Sequence, residues 1–309
     1  MPWLLSRLLT LGVVLLLVTV LSFLGSWWWI LDLFTHFRLY YALAGLVLLI
    51  PLLAARRWKG CAVVAVPALV NSLLVSPLFL PNEVGGETGS TWLHLMAFNV
   101  HTANGNKQEV LQYLQESGAE LIFLQEIDDQ WHQALSEWKS EYRLVVSRPQ
   151  QDNFGVALLS RIDLLETKVY TMPSNYNPSI LIWVDLEGEL VILATHTVPP
   201  VSAQYAAWRD EHIDQLTEWA QGRDMAMVIG DLNATRWSRP VARFLSKTGW
   251  RSSMEGFGYQ ASWPMGIGSP VEIPIDDALI SPRIKVMERR LGPALGSDHR
   301  PLLLTVVRR

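Results

Sequence analysis

The sequence predicts an α/β domain of two packed sheets with helices outside, carried behind an N-terminal helical region that crosses a membrane. Three observations lead there. Charge is unevenly spread: residues 1–80 hold five Lys/Arg and one acid, Asp32, whereas residues 91–309 carry twenty Lys/Arg and twenty-six Asp/Glu. In that polar part, short apolar runs outnumber amphipathic helical stretches by more than two to one. Several runs, LIFLQ and VILAT among them, lack polar–apolar alternation, as strands covered on both faces do. The expected division is a membrane region at 1–80 with about three helices, a linker at 81–90 and a domain at 91–309 large enough to bury a full core.

The membrane stretches are 8–28, 39–55 and 61–80, none of which contains Lys, Arg, Asp or Glu. Each approaches the ~20 residues a helix needs to cross the hydrocarbon core. A cleaved signal peptide also fits the first stretch, but two further spans behind it favour a retained anchor. Pro51 lets the second stretch tilt or re-enter; three crossings are expected. Arg56, Arg57 and Lys59 lie between the second and third stretches and Arg7 flanks the first, so the positive-inside rule puts the N-terminus in the cytoplasm. Three crossings then place the large domain on the periplasmic or extracellular side of a bacterial inner membrane. The single cysteine, Cys61, lies in the third stretch, so the domain has no disulfide.

The Gly-rich segment PNEVGGETGS at 81–90 reads as the linker. After it, strands are expected at 92–99, 120–125, 142–147, 155–160, 164–170, 179–186, 189–196, 225–230, 277–281 and 301–307. Helices fit at 106–117, 129–138, 202–221 and 239–247, with Ser202 as an N-cap and Gly222 as a stop.

Polar residues collect at strand ends. Asn99 ends the first strand, Glu126 the second and His196 the ELVILAT strand; Asp231 and Asn233 follow MAMVIG, Asp276 precedes DALIS, and Asp298-His299 precede the last strand. Such ends converge on one rim in layered α/β folds. Glu126, Asp231, Asn233 and Asp298 offer hard oxygen ligands, which suit Mg2+ or Mn2+ rather than zinc. A divalent ion there neutralises a phosphate oxygen and acidifies a water. His299 beside a carboxylate such as Asp276 can act as base or orient the attacked phosphorus, with His196 across the site as a donor.

The ordered set MAFNV, LIFLQE, ATHTVPP, GDLNAT, IDDALIS and SDHRPL resembles the endonuclease/exonuclease/phosphatase superfamily, over residues 92–307. The stretch DNFGVALLSR resembles its membrane-tethered bacterial branch. The resemblance implies a four-layer sandwich of two mixed sheets flanked by helices, and Mg2+-dependent phosphoester hydrolysis. It implies Glu126 as a metal ligand with Asn99 and Asp298 near the metal, Asp231 and Asn233 activating water or holding phosphate, His196 on the phosphate side, and an Asp276–His299 pair. Two departures stand out. His101 occupies a place two after Asn99 where many relatives carry an acid, so the metal shell is thinner or holds one ion. Asp277 follows Asp276 where a His is frequent, leaving either acid as the partner of His299.

Each residue has a plainer reading. Asp231-Leu232-Asn233 alone is a turn, and Asn99, Glu126 and His196 alone are strand-end polar groups; the full set weighs against that. Asn99, Asn153 and Trp237 are candidate substrate contacts, although Trp237 and Ser238 equally suit the cap of the next helix, and the remaining tryptophans read as core or surface aromatics. The expected function is a membrane-anchored Mg2+-dependent hydrolase of phosphodiester or phosphomonoester bonds, nuclease-like or nucleotide-directed, bound to the bilayer through its N-terminal helices. A net charge of −6 on residues 91–309 disfavours tight nonspecific binding to nucleic acid, although the strip Arg236, Arg239, Arg243 and Arg251 suits a small phosphodiester or a nucleic acid end. The anchor makes a phospholipid or lipid-linked phosphate the alternative substrate. A scaffold that keeps the fold without chemistry is the rival of another class. No feature names a protein partner.

Overall fold

A computed structural model of the chain describes residues 2–81, 91–171, 177–265 and 271–309; the predicted linker, apart from Pro81, lies outside the described residues. The N-terminal part contains helices α1 (Pro2–Leu21), α2 (Trp29–Leu33), α3 (Arg38–Ala54) and α4 (Trp58–Val75). Two segments, Trp29–Ala54 and Trp58–Leu78, are long and apolar enough to cross a membrane, and Leu5–Leu21 is a shorter apolar helix beside them. The first predicted stretch therefore shifts: its helix ends at Leu21, and residues 22–28 leave the helix before α2. Small residues set the helix packing. A Cβ on Gly45 would come within 2.6 Å of the Ala68 Cβ, and one on Gly12 within 2.5 Å of a Val64 methyl, the close approach that membrane helix contacts favour.

The larger part contains β1 (Trp92–Asn99), α5 (Lys107–Glu116), β2 (Leu121–Gln125), α6 (Asp129–Glu137), β3 (Arg143–Arg148), β4 (Val156–Ser160), β5 (Glu166–Thr171), β6 (Pro178–Asp185), β7 (Glu189–His196), α7 (Ala203–Ala220), β8 (Ala226–Asp231), α8 (Arg239–Thr248), β9 (Arg251–Ser252), β10 (Asp276–Ile280), β11 (Ile284–Leu291) and β12 (Leu302–Arg308). Ser202 caps α7 by accepting from the Tyr205 amide, and Asp128 caps α6 through the Trp131 amide. All ten predicted strands and four predicted helices are present within two residues of their expected ends. Two strands went unpredicted. β9 has only two residues, and β11 reads IKVMERRL, an edge strand whose charges break up its apolar residues.

The strands form two six-stranded sheets, in the orders β11-β12-β1-β2-β4-β3 and β5-β6-β7-β8-β10-β9. Both are mixed: β1–β2 and β7–β8 pair in parallel and the other pairs are antiparallel. Residues such as Leu95, Phe123, Ile182, Ile192 and Ile229 fill the space between the sheets. A second cluster with Trp131 and Leu114 packs α5 and α6 on one sheet, and a third with Phe244 and Leu216 packs α7 and α8 on the other. The predicted four-layer sandwich is the architecture, with strands of both sheets buried on two faces as their unalternating sequence requires.

The N-terminal helices dock on the α8 side. Asp32 Oδ2 accepts from Arg209 of α7 at 3.0 Å and Asp32 Oδ1 from the Arg239 backbone amide at 2.7 Å, so one carboxylate serves a buried ion pair and the first turn of α8. His36 Nδ1 lies 2.9 Å from Thr235 Oγ1, and the Trp237 indole donates to the Leu74 carbonyl at 3.0 Å. Removing one partner of a buried pair costs about 3–5 kcal/mol, and the Asp210 carboxylate on Arg209 moderates the loss. Asp32→Ala is therefore expected to destabilise the detergent-solubilised chain by about 3 kcal/mol. Its Tm should fall by roughly 5–10 °C. Asp163→Ala, which breaks an exposed pair with Arg143, should leave Tm almost unchanged; equal shifts in the two variants would refute the docking role.

Candidate active site

The register explains why the polar residues meet. In a parallel pair the carboxyl ends lie side by side, and here Asn99 is opposite Gln125, which precedes Glu126, while His196 is opposite Asp231. Antiparallel neighbours contribute their beginnings instead: Asp276 is opposite Asp231, and β12 enters beside Ala97 directly after Asp298-His299. Two parallel pairs and two antiparallel strands thus deliver their polar groups to one rim spanning both sheets. Gly230 permits the approach; its φ is +143° and a Cβ would meet the Thr195 carbonyl oxygen at 1.9 Å. Glu126, Asn153, Asn233 and His101 all have positive φ, the strained backbone that clusters at functional sites.

The floor of the site is buried. Asn99 Nδ2 donates to Glu126 Oε1 at 2.9 Å and to Asp231 Oδ2 at 3.2 Å, tying the two sheets together. Asp231 Oδ2 also lies 3.3 Å from His196 Nε2 and 3.7 Å from His299 Nε2, while its Oδ1 accepts from the Asn233 amide at 2.8 Å. His299 Nδ1 is 2.8 Å from Asp276 Oδ2. Asn233 Nδ2 donates to the Thr197 carbonyl and stands 3.3 Å from His196 Nε2. Above this floor Glu126, Asn233 and Asp298 are half-buried and form the solvent-facing edge.

The choice between the two aspartates is settled by their surroundings. Asp276 bonds His299, whereas Asp277 accepts from Ser252 and Ser253 and pairs with the buried Arg289. Trp237 is not brought to the site; its side chain stacks on Tyr259 and joins a cluster with Leu78 and Met254. Asn153 is exposed and shares a depression of about 400 Å³ with His101 and Thr102, whose amide bonds Glu126. Phe154 next to it packs on the His196 ring at 5.2 Å. Three contributors escape sequence reading. The Trp263 indole donates to Asp298 Oδ2 at 3.0 Å, Ser297 Oγ joins the Asn99 carbonyl to the His299 amide, and the Thr102 amide donates to Glu126 Oε2. Only the serine had a signal, as a turn residue two places before His299.

Electrostatics polarise the floor. Burial works against charging His299, but the Asp276 and Asp231 carboxylates outweigh it and push its pKa up to about 10. For Asp231 burial opposes ionisation, but His299, His196 and the Asn233 amide hold its carboxyl below the usual range. Burial likewise lowers His196, and Asp231 with Glu126 more than restores it. Away from the rim, burial depresses His212, bonded to Thr195 Oγ1, to about 3. Stability follows from the signs. The raised His299 contributes below pH 6.5 and its contribution is lost as pH climbs towards 10, whereas the depressed His212 contributes above 6.5 and its contribution is lost as pH falls towards 3. The denaturation midpoint in EDTA is expected to fall on both sides, with His299→Gln flattening only the alkaline limb and His212→Gln only the acid limb; limbs unchanged in these variants would contradict the assignment.

The donor set fits a hard divalent cation. Glu126 keeps free lone pairs beside the amide contacts, and Asp298 and the Asn99 amide oxygen lie on the same rim. Asp231, Asp276 and His299 also offer atoms within 4.8 Å of one another. The short His299–Asp276 bond already joins two of these, so in this structure the trio is a hydrogen-bonded group.

A two-sheet sandwich with carboxylates, amides and histidines gathered at the strand ends of both sheets defines the class of protein. The sequence pattern of the Endonuclease/Exonuclease/phosphatase family matches residues 96–299, and the chain belongs to that family. No curated protein matches the chain. Among solved structures, D. rerio TDP2 complexed with single-strand DNA product is similar at 17% identity and a TM-score of 0.58, over 70% of this chain and 99% of that one. An endonuclease/exonuclease/phosphatase family protein from Bacteroides thetaiotaomicron is similar at 18% identity and a TM-score of 0.55, over 71% and 96%. One from Beutenbergia cavernae gives 16% and 0.54, over 70% and 72%.

Proposed function

We propose that this chain is a membrane-anchored, Mg2+-dependent phosphoesterase that hydrolyses phosphodiester or phosphomonoester bonds, with nucleic acid or nucleotide substrates foremost. The observation that carries this reading is the convergence of Asn99, Glu126, His196, Asp231, Asn233, Asp276 and His299 on one rim. Glu126, Asn99 and Asp298 would hold the ion, which when bound neutralises phosphate charge and acidifies water. Asp276 fixes the proton on His299 Nδ1 and leaves Nε2 facing the floor, where the charged ring donates to a phosphoryl oxygen. Asp231, held ionised and oriented by the Asn233 amide, accepts the proton of the attacking water. His196 and the Asn233 side chain form the opposite wall and donate to a phosphate or leaving oxygen.

Outward-facing apolar side chains, including Phe23, Leu46, Val47, Ile50, Leu69 and Leu73, support the anchor, since a helix in a soluble core would bury them. Arg56, Arg57 and Lys59 line a depression with Leu5 and Ser6, at the end of the bundle away from the docked domain. That supports three crossings with the catalytic domain on the periplasmic side. The same docking favours a lipid-linked phosphate as second substrate, because the Asp231–Trp237 segment lies against the membrane helices. A panel of single- and double-stranded DNA, RNA, nucleotides, sphingomyelin and phosphoinositides, offered to the full chain with Mg2+ or EDTA, tests the reading. Cleavage with Mg2+ that EDTA abolishes is expected; no cleavage of any member would turn the reading towards a scaffold. A cytoplasmic signal from a reporter fused after Arg309 would reject the orientation.

A further inference from the structure

We propose that a cavity between the membrane helices and α8 binds the phosphate of an anionic phospholipid from the leaflet bordering the catalytic domain. The cavity measures about 610 Å³, within the range of small-molecule sites. The ends of α1 and α4 and the start of α3 form one side, and Arg236 and Arg239 form the other. Phe23 and Leu73, exposed at 57% and 62%, mark the apolar bundle surface where it reaches the cavity. On the membrane-anchored reading, on which this inference rests, that is headgroup height.

Charge selects the ligand. Arg38, Arg236 and Arg239 line the cavity with one acid, Asp32, whose two oxygens are already taken by Arg209 and the Arg239 amide; the Arg239 side chain pairs with Asp210, which leaves Arg38 and the second fork of Arg236 for a ligand. Arg38 is 2% exposed, sits over the Phe23 ring and donates once, to Asn71 Oδ1; its Nε has no acceptor among the described residues. Arg236 pairs with Glu255 through Nη2, and its buried Nη1 likewise has no acceptor. Arg38 and Arg236 both line the cavity, and each carries a buried guanidinium N–H without an acceptor among the described residues, so a small rotation of either side chain gives a ligand oxygen an unsatisfied donor. The two non-bridging oxygens of a phosphodiester suit such forks, and the acyl chains would lie along the exposed face of α1 and α4. None of the candidate catalytic residues lines the cavity, so the lipid is a bound component and not the substrate.

The test uses full-length protein in nanodiscs of phosphatidylglycerol or phosphatidylcholine, and native mass spectrometry of detergent-released protein. Wild type is expected to retain one phosphatidylglycerol and to melt higher in the anionic discs. Arg236→Gln, at a half-buried position, should weaken retention by about tenfold, the share of one charged hydrogen-bond partner. Arg38→Lys, which keeps charge and loses the fork, should weaken it similarly. Equal retention of both lipids, or retention unchanged in both variants, would overturn the proposal. Equal protection by soluble glycerol phosphate would overturn the lipid as its source. Protein that fails to enter either nanodisc would refute the membrane anchor instead.

Discussion

His299→Ala and Asp231→Ala are each expected to lower kcat by roughly 10²–10⁴, the range for removing a positioned proton donor or acceptor. Both side chains are buried in one network, so the effects should not add: the double variant should lose little more than the worse single one. Circular dichroism and the elution volume should match wild type, because both strands keep their ladder bonds. The check is kcat on whichever phosphoester the substrate panel identifies, at saturating Mg2+. Activity surviving in either variant would move the proton-transfer roles elsewhere.

The second large effect separates two adjacent aspartates. Asp276→Asn removes the charge that holds the His299 proton on Nδ1 and should cost about 10³–10⁴ in kcat, as loss of a histidine-orienting acid does elsewhere. Its stability at neutral pH should fall as well, because the buried His299 ring loses the carboxylate that holds its charge, so kcat is compared per folded molecule. Asp277→Ala should lose stability without the loss of kcat. It leaves Arg289, fully buried, without its carboxylate and strips two serine hydroxyls of their acceptor. The expected loss is about 3–5 kcal/mol of stability, with kcat per folded molecule close to wild type. Paired measurements of Tm and kcat decide it, and an inactive but stable Asp277→Ala would reverse the assignment.

These aspartates also show where sequence reading stops. Strand side chains alternate faces, so of two consecutive acids at the start of β10 only one can face His299. The alternation says that one does, and not which, because that depends on whether Ser252 or His299 waits on a given side. The Asn99, Glu126, His196, Asp231, Asn233 and His299 set was legible because each sits where an apolar run stops. Trp237 misled for the converse reason: its place four residues after Asn233 suggests the site, but its ring turns to Tyr259 and Leu74.

Asp32 is the clearest case of a residue whose meaning lies outside its neighbourhood. Alone among the acids of residues 1–80, it reads as a loop charge, and only packing places it against Arg209 and the first turn of α8. Apolar periodicity and strand-end polarity act within a few residues, so sequence by itself determined ten of the twelve strands, helices α5 to α8, the family and most polar residues of the rim. Long-range pairing between α2, α7 and α8, and the side on which Asp276 and Asp277 fall, depend on contacts between segments far apart in the chain. Tertiary structure alone decided them, because a buried charge takes its partner from whatever the fold brings within hydrogen-bond reach.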